Sequence, residues 1–359
     1  MIAIEAGRLR ELVRDIFVGA GCPPAEGERI GSHLVAANLA GHDSHGVIRV
    51  PRYVDGLRDG TVKADQTIDI VIETPALAVA DGKFGFGQTV APQAVEIGIA
   101  KGREAGLALV ALRNAGHIGR VGEYAERAAG AGLVSIHFVN AAGSVLVAPF
   151  GGVERRFSTA PFCVGIPRPG LTPVILDFAT SLVAEGKVLV ASRGGKTLPK
   201  GALIGPDGTV SEDPHLLYGE YTPEGTRDYR QGQGAIRAFG EHKGSGLALM
   251  CELLGGALTG NGATRTGRTF ANGMLSIYID PARIDPDGFF PEEAARYIAF
   301  VKDAKPASGH DEVLVPGEPE ECTKRRREAE GVPLSDDTWA AIAATARGVG
   351  IAEDRLRAG

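Results

Sequence analysis

The chain has 359 residues, a formal net charge of −6 at pH 7 and 44% hydrophobic residues. This length predicts two or three domains whose cores need neither disulfides nor metals. The mild acidity excludes the basic surface of a nucleic-acid-binding protein. No apolar run is long enough to span a membrane, and the N-terminal residues lack the apolar segment of a secretory signal.

The four cysteines are scattered along the chain and form no C-x-x-C pair. This spacing argues against a zinc ribbon and against a disulfide scaffold, and it favours a reducing compartment. We therefore expect a cytoplasmic protein with no nucleic acid and no membrane among its partners.

The first sixty residues predict three helices. Apolar residues recur at helical spacing over residues 5–19, which indicates an amphipathic helix. A second amphipathic segment ends near Gly41, and a polar segment follows it. Pro51 then suits the first turn of a short third helix.

From residue 89 onward, helical and strand-like patterns alternate, which is typical of an α/β protein. The helical patterns cover residues 89–105, 120–131, 291–304 and 320–330, and two further helices begin after Gly240 and at the cap Ser335. The strand-like patterns cover residues 107–112, 134–139, 173–178 and 274–279. Residues 193–215 and 305–319 are rich in glycine and proline and predict long loops.

The densest group of reactive side chains is GHDSHGVIRVPRY, residues 41–53, just past a predicted helix end. His45 suits proton transfer near neutral pH, and the hydroxyl of Ser44 stands beside it. Arg49 carries the forked guanidinium that binds a carboxylate through two hydrogen bonds. The alternative is a loop that only caps the next turn and leaves His45 at the surface.

Two further segments carry candidate groups. His117 lies between glycines on a loop, residues 113–119, whose following helix offers free backbone N–H groups that suit an anion. Asp177 interrupts the apolar strand VILDF, so it needs a partner and could orient a histidine. The alternatives are an ordinary strand-to-helix turn and an aspartate that caps a turn.

Lys243 and Gly244 stand at a predicted helix start, where charge and backbone donors can hold a phosphate. A merely glycine-rich helix start is the alternative. The G-x-G-x-x-G pattern of common dinucleotide sites is missing, because Val90 stands where its third glycine belongs. His42 and His45 have no carboxylate or histidine set that completes a metal site, so we expect no metal.

Taken in order, the segments GHDSHGVIRVPRY, HIG, APFGG, LDFATS, HKGSGLAL and VPGE resemble the type 2 malate/L-lactate dehydrogenase family. The resemblance runs from about residue 5 to about residue 350. The family includes sulfolactate, ureidoglycolate and diketogulonate oxidoreductases and the Δ1-piperideine-2-carboxylate reductases.

The resemblance implies an α/β fold of the malate/L-lactate/sulfolactate dehydrogenase type. In this fold a mixed sheet surrounded by helices binds NAD or NADP without Rossmann topology. Residues 1–125 and 290–359 would form a mixed helical domain that contributes the catalytic loop. Residues 126–289 would form the cofactor-binding domain, with a mixed or mainly antiparallel sheet. The implied partners are a small carboxylate substrate and a second copy of the chain in a homodimer.

The family's functional residues carry over onto positions that match its motifs. His45 or His117 would donate the proton, with Ser44 and Asp177 in catalytic support. Arg49 and Tyr53 would bind the substrate. The implied cofactor contacts are His45, Gly119, Arg120, Val121, Leu176, Asp177, Phe178, Ala179, Thr180, His242, Lys243, Gly244, Asn272, Pro316, Gly317 and Glu318.

Two departures from the family pattern concern substrate range and cofactor preference more than the reaction class. Ser158 and Ala160 stand where many members have the glycine and asparagine of G-T-N-P. Ser245 stands where many members have the tyrosine of K-G-Y-G.

The implied reaction is reversible hydride transfer between a nicotinamide cofactor and C2 of a small 2-hydroxy acid. Reduction of a cyclic 2-imino acid such as Δ1-piperideine-2-carboxylate is the alternative. A cofactor-binding protein without activity is a second alternative. The sequence does not distinguish NAD from NADP as the cofactor, nor His45 from His117 as the proton donor.

Overall fold

A computed structural model describes residues 2–192, 197–222 and 227–356. The strands are β1 Ile2–Ile4, β2 Asp69–Glu73, β3 Leu77–Asp81, β4 Leu107–Ala115, β5 Val134–Ala142, β6 Val147–Ala148, β7 Pro161–Ile166, β8 Val174–Ala179, β9 Leu203–Ile204, β10 Val210–Ser211, β11 Ala235–Arg237, β12 Ala271–Ile279 and β13 Val332–Leu334. The α-helices are α1 Ala6–Gly19, α2 Pro24–Leu39, α3 Val50–Arg58, α4 Gly87–Ala105, α5 Gly122–Gly130, α6 Glu185–Ser192, α7 His215–Tyr218, α8 His242–Cys251, α9 Pro281–Ile284, α10 Phe289–Lys302, α11 Glu318–Glu330 and α12 Asp336–Gly348.

The largest sheet has seven strands in the order β2-β3-β4-β12-β5-β7-β8. Only β3 and β4 pair in parallel, across the helix α4, and the other neighbours in this sheet are antiparallel. Rossmann sheets are instead built from successive parallel units of this kind. The predicted α/β fold with a mixed sheet surrounded by helices is therefore confirmed.

The first hydrophobic core lies between this sheet and the helices α4 and α5. Tyr278 of the central strand β12 is fully buried in it. Its ring lies so close to α4 that a Cβ atom at Gly98 would overlap it. A glycine inside a helix normally costs stability, and here the close approach of the ring requires it.

The second core joins the two ends of the described chain. Helix α1 buries the five apolar residues whose spacing predicted it, Leu9, Leu12, Val13, Ile16 and Phe17. They pack with α2, α3 and α12, and β1 pairs antiparallel with β13. The predicted cap of α12 is confirmed, since the Ser335 hydroxyl accepts a hydrogen bond from Thr338 N at 3.2 Å.

The third core lies within residues 146–238 and has its own small sheet, in the order β10-β9-β11-β6. The helices α6 and α7 belong to it. The sequence predicted only a loop over residues 193–215, of which residues 193–196 lie outside the described residues. Strands of two or three residues are too short to show a periodic pattern.

Several segment boundaries differ from prediction. The strand predicted for residues 107–112 runs to Ala115, and the following helix α5 begins at Gly122 rather than at residue 120. Strands β1, β2, β3 and β7 were not predicted. The division into two domains stays a prediction, and the large sheet takes strands from both sides of residue 125. None of the described helices has both the length and the apolar character of a membrane span.

The packing of Tyr278 on α4 predicts that Gly98→Ala lowers the free energy of unfolding by about 1–3 kcal/mol, because the added methyl group must displace a buried ring. Gly130→Ala is the matched control, since no atom lies within 4 Å of the site of its Cβ. This control should be neutral or stabilising by about 1 kcal/mol or less. Urea unfolding measures both variants, and equal effects would contradict the packing argument.

Candidate active site

The segment of residues 41–53 folds into two short 3₁₀ turns, Asp43–His45 and Val47–Arg49, followed by α3. The side chain of Asn38, at the end of α2, fixes both turns. Its Nδ2 donates to Asp43 Oδ1 at 2.7 Å, and its Oδ1 accepts from Val47 N at 2.8 Å. The segment is therefore a rigid support for the side chains that it carries.

A helix near the C-terminus also supports this segment. Arg327 of α11 donates to both carboxylate oxygens of Asp43, at 2.6 and 3.0 Å. His42 Nε2 lies 3.4 Å from Glu320 Oε1 on the same helix. Asp43 therefore has structural partners, as expected of a carboxylate in a turn.

His45 and His117, which are far apart in the sequence, lie face to face in the structure. Their ring centroids are 5.6 Å apart and the rings are tilted by 14°. Ser44 Oγ is 3.0 Å from His45 Nδ1, and Tyr53 Oη is 2.5 Å from His117 Nδ1. Among the described residues, neither Nε2 atom has a hydrogen-bond partner, so both are available to a ligand.

Gln88, at the start of α4, determines how Tyr53 and His117 share their proton. Its Nε2 donates to the Tyr53 hydroxyl at 3.3 Å and to the His117 carbonyl at 3.0 Å. Since Gln88 donates to the hydroxyl oxygen, the Tyr53 proton points to His117 Nδ1. The neutral imidazole of His117 then carries its proton on Nε2.

Arg49 lies beside the two imidazoles. Its Nε donates to the Ser44 carbonyl at 2.6 Å, which fixes the plane of the guanidinium. Its Nη1 lies 3.8 Å from a carboxylate oxygen of Glu185. Among the described residues, the two Nη atoms form no hydrogen bond, so the forked end of the guanidinium is open to an anion.

Both imidazoles are recessed in the protein yet partly open to solvent. Burial, followed by the positive charge of Arg49, holds the pKa of His45 well below its ordinary value of 6.5. The same two causes, in the same order, lower the pKa of His117. Both rings are therefore neutral at pH 7.

The turn after His117 is fixed from two sides. The Ile118 N–H donates to Asn272 Oδ1 at 3.0 Å, and the Arg120 N–H donates to His33 Nε2 at 3.1 Å. Gly119 between them has φ +73°, and a Cβ atom there would overlap the His33 ring. The prediction that the start of the following helix offers free backbone N–H groups is therefore wrong at Arg120, because His33 accepts a hydrogen bond from its N–H.

Asp177 does not orient an imidazole in this structure. Its Oδ2 accepts a hydrogen bond from the Gly122 N–H at 2.7 Å, at the N-terminus of α5. The side chain that hydrogen-bonds to the His117 ring is Tyr53 instead. The predicted role of orienting a histidine therefore belongs to Tyr53, and any other contribution of Asp177 to catalysis stays a prediction.

Asn272 belongs to a buried network of amide side chains. Its Nδ2 donates to the Asn140 carbonyl at 2.7 Å, and Asn261 joins the Asn140 side chain to the Asn114 N–H. Glu252 lies at the other end and accepts from Asn140 Nδ2 at 3.1 Å. Both polar groups of the Asn272 side chain are thus engaged, one with the loop of residues 113–119 and the other with β5.

The predicted cofactor segments near β8 converge. The Pro316 carbonyl accepts from the Ile175 N–H at 3.2 Å, which brings residues 316–318 against this strand. A cavity of about 630 Å³ opens beside them, and Arg120, Ile175 and Gly317 contribute to its lining. Arg120 is 5% exposed, and its Nε has no partner among the described residues. Its Nη2 pairs with Glu126 at 2.6 Å, at the lining of the same cavity. A cleft of this size fits part of a dinucleotide.

Residues 242–244 lie at the opposite end of β8. The Phe239 N–H donates to the Thr180 carbonyl at 3.1 Å, and the Phe239 ring contacts Phe178 at 5.2 Å between centroids. The Gly244 N–H in turn donates to the Phe239 carbonyl at 3.0 Å. Lys243 is exposed at the start of α8. The structure thus connects two of the predicted cofactor segments, and their contact with a cofactor stays a prediction.

The residues that depart from the family pattern have local partners here. Ser158 is fully buried, and its hydroxyl donates to Glu252 at 2.6 Å. Ser245 Oγ accepts from the Phe150 N–H at 3.0 Å and so fixes the APFGG segment. In the described part of the chain, no cluster of three or more His, Cys, Asp or Glu side chains could hold a metal ion.

The sequence profile of malate/L-lactate dehydrogenases matches residues 4–343. This chain belongs to the malate/L-lactate dehydrogenase family. It is 40% identical to hydroxycarboxylate dehydrogenase B of Escherichia coli O157:H7, over 99% of this chain and 96% of that protein. The predicted membership of an oxidoreductase family is therefore confirmed, and the family implies a nicotinamide cofactor.

Solved structures agree with this assignment. A putative malate/lactate dehydrogenase from E. coli superimposes with a TM-score of 0.90 at 37% identity, over 99% of this chain and 98% of that one. The Δ1-piperideine-2-carboxylate reductase of Pseudomonas syringae pvar. tomato is a more distant neighbour. It has a TM-score of 0.78 and 29% identity over 96% of this chain and 100% of that one.

The lowered imidazole pKa values predict that stability falls in acid. The folded protein binds protons at His45 and His117 less readily than the unfolded chain, so the free energy of unfolding decreases as the pH falls below 6.5. Both imidazoles should therefore contribute to a loss of stability between pH 7.5 and 5.5. Urea unfolding at both pH values should show a smaller loss for His117→Gln, and an unchanged loss would contradict the assignment.

Proposed function

We propose that the protein transfers a hydride reversibly between NAD or NADP and C2 of a small 2-hydroxy acid. The observation that carries this proposal is the meeting of Arg49, His45 and His117 in one recess. A carboxylate-binding group beside two neutral imidazoles, one able to accept a proton and one able to donate a hydrogen bond, is what such a reaction needs. The family to which the chain belongs supports the same reaction class.

Arg49 would position the substrate. Its open Nη atoms can form two parallel hydrogen bonds to the carboxylate, which also sets the face that C2 presents to the cofactor. Orientation of this kind can lower a barrier by about 7–11 kcal/mol in the most favourable cases. Since Ser44 holds Arg49 Nε at 2.6 Å, the guanidinium is positioned before the substrate arrives.

The imidazoles would handle the proton. The nicotinamide cofactor, when bound, accepts or supplies the hydride. His45 Nε2 can accept the hydroxyl proton as a 2-hydroxy acid is oxidised, while its Nδ1–H donates to Ser44 Oγ. His117, whose Nε2 carries the ring proton, can donate a hydrogen bond to the same substrate oxygen. In the reverse direction, an anion on Arg49 offsets one of the charges that lower the imidazole pKa values, so binding of a 2-oxo acid favours the protonated ring that must donate.

The cofactor would lie along β8. Arg120 and Gly317 would contact it in the cavity described above, and Leu176 to Thr180 would line its path toward the imidazoles. Phe178, Ala179, Val121, Pro316 and Glu318 stay proposed contacts on the strength of the family pattern. The choice between NAD and NADP is left to measurement.

A cyclic 2-imino acid is the second candidate substrate. It offers the same carboxylate to Arg49, with nitrogen as the proton acceptor, and the structure of a Δ1-piperideine-2-carboxylate reductase resembles this one. A panel of pyruvate, oxaloacetate, 2-oxoglutarate, phenylpyruvate and Δ1-piperideine-2-carboxylate, each assayed with NADH and NADPH, separates the two. Cofactor binding without turnover of any compound would favour a protein without activity.

His45→Ala and His117→Ala should each lower kcat by about 10²-fold or more, because each removes a candidate acid–base group. Both variants should still bind the reduced cofactor, which its fluorescence reports. Steady-state assays on the best compound of the panel measure the effect. Full activity in both variants would refute the assignment, and loss in only one would identify the proton donor.

We also propose a homodimer in the cytoplasm. The helix α10 has no buried residue in the single chain, and Phe289, Tyr297 and Phe300 on it are each more than half exposed. An exposed aromatic surface of this kind is typical of an interface. Light scattering should report twice the chain mass of 37.3 kDa, and a monomer at micromolar concentration would contradict the proposal.

The proposed location in the cytoplasm is supported by the four cysteines, which are all free, as in proteins of a reducing compartment.

A further inference from the structure

Among the described residues, Glu185 is the acidic side chain that pairs with the forked end of Arg49. It is the first residue of α6, and 13% of its side chain is exposed. Its Oε2 lies 3.8 Å from Arg49 Nη1, which is too far for a hydrogen bond. The open carboxylate-binding group therefore already has a negative charge beside it.

The chain is built to bring Glu185 to this place. Gly186 follows it, and a Cβ atom there would lie 2.7 Å from Ser44 Cβ and 3.3 Å from Arg49 Nη2. Only glycine allows α6 to approach Ser44 and Arg49 so closely. The helix α6, which packs in the third core, thus places a carboxylate at the side of the recess.

Tyr218 holds Glu185 away from Arg49. The Tyr218 hydroxyl donates to Glu185 Oε1 at 2.7 Å, and only 1% of the tyrosine is exposed. Burial and the adjacent negative charge of Glu185 raise the pKa of Tyr218, so the hydroxyl keeps the proton that it donates. The carboxylate is therefore fixed in position and does not close on the guanidinium.

A fixed negative charge next to Arg49 discriminates between acids. One substrate carboxylate can bind to Arg49, whereas a second acidic group, one or two carbons away, meets Glu185 within a Debye length. The cations Arg52 and Lys187 also act on the imidazoles. Both are exposed, so water screens their attraction for a second acidic group more than it screens the recessed Glu185.

We propose that Glu185 determines specificity, by favouring 2-hydroxy and 2-oxo acids with a single carboxylate over dicarboxylic acids such as malate and oxaloacetate. The inference rests on the proposed function, because it names the substrate class of that same site. It acts by repulsion, a common source of specificity that needs no new attractive contact.

The test compares Glu185→Gln with the unmodified protein. Glutamine keeps the size of the side chain and an oxygen for the Tyr218 hydroxyl, and it removes the charge. The ratio of kcat/KM for oxaloacetate to that for pyruvate should rise by about fivefold or more, mainly through the KM of the dicarboxylate. Glu212→Gln is the control for the loss of a carboxylate elsewhere, since Glu212 is exposed just after β10 and accepts from the Gly201 N–H. This control should leave the ratio unchanged.

Tyr218→Phe tests the same assignment by the opposite change, because it should bring the Glu185 charge closer to Arg49 instead of removing it. Without the hydroxyl, Glu185 is free to pair directly with Arg49 and compete with the substrate. The KM for pyruvate should then rise by about threefold or more, with kcat affected less. A purely structural role for Tyr218 would instead lower kcat and thermal stability together.

The outcomes distinguish the two proposals. If the unmodified protein turns over 2-oxo acids but Glu185→Gln leaves the ratio unchanged, Glu185 does not determine specificity and the proposed function stands. A ratio that falls in Glu185→Gln overturns the inference as well. If the unmodified protein reduces none of the acids with either cofactor, the proposed function itself fails.

Discussion

The hydrogen bond from the Tyr53 hydroxyl to His117 Nδ1 joins two parts of the molecule that have separate cores. Tyr53 lies on α3 in the second core, and His117 lies on the loop after β4, which the first core and the amide network of Asn272 support. The contact brings Arg49 and His45 to the end of the large sheet. If the two cores shifted relative to each other, the imidazole stack and the carboxylate-binding fork would separate.

Burial and charge explain the chemistry that this junction allows. The recess lowers the pKa of both imidazoles below the physiological range, and Arg49 adds to the effect. Without substrate, the imidazoles are thus neutral. A bound carboxylate offsets the positive charge of Arg49 and so raises the imidazole pKa values toward their ordinary range. The third core adds Glu185 to the same recess, so each of the three cores contributes a group to one small volume.

The sequence predicted correctly those features that depend on interactions between residues close together in the chain. The apolar spacing in α1 and the cap at Ser335 depend only on neighbouring residues, and both are confirmed. The motif of residues 41–53 was recognisable because its reactive groups are close in sequence. Its meeting with His117 followed only from the family resemblance, since no local pattern specifies a contact across sixty-four residues.

What was missed depends on contacts between distant segments. Gln88, His33 and Glu185 carry no motif, and each becomes meaningful only beside Tyr53, Gly119 or Arg49. Gly186 is the one sequence signal that could have indicated Glu185, since a glycine near a helix start often marks close approach. Asp177 was assigned to an imidazole because a recessed carboxylate needs a partner, and a backbone N–H met that need instead.

The central claim is that one small anion touches Arg49 and an imidazole at the same time. A crystal structure of the protein with its reduced cofactor and oxamate, an unreactive analogue of a 2-oxo acid, tests this most directly. The account predicts that the oxamate carboxylate forms two hydrogen bonds to Arg49 and that its amide oxygen lies within about 3 Å of His45 Nε2 or His117 Nε2. Oxamate bound elsewhere, or bound to Arg49 with both imidazoles out of reach, would contradict it.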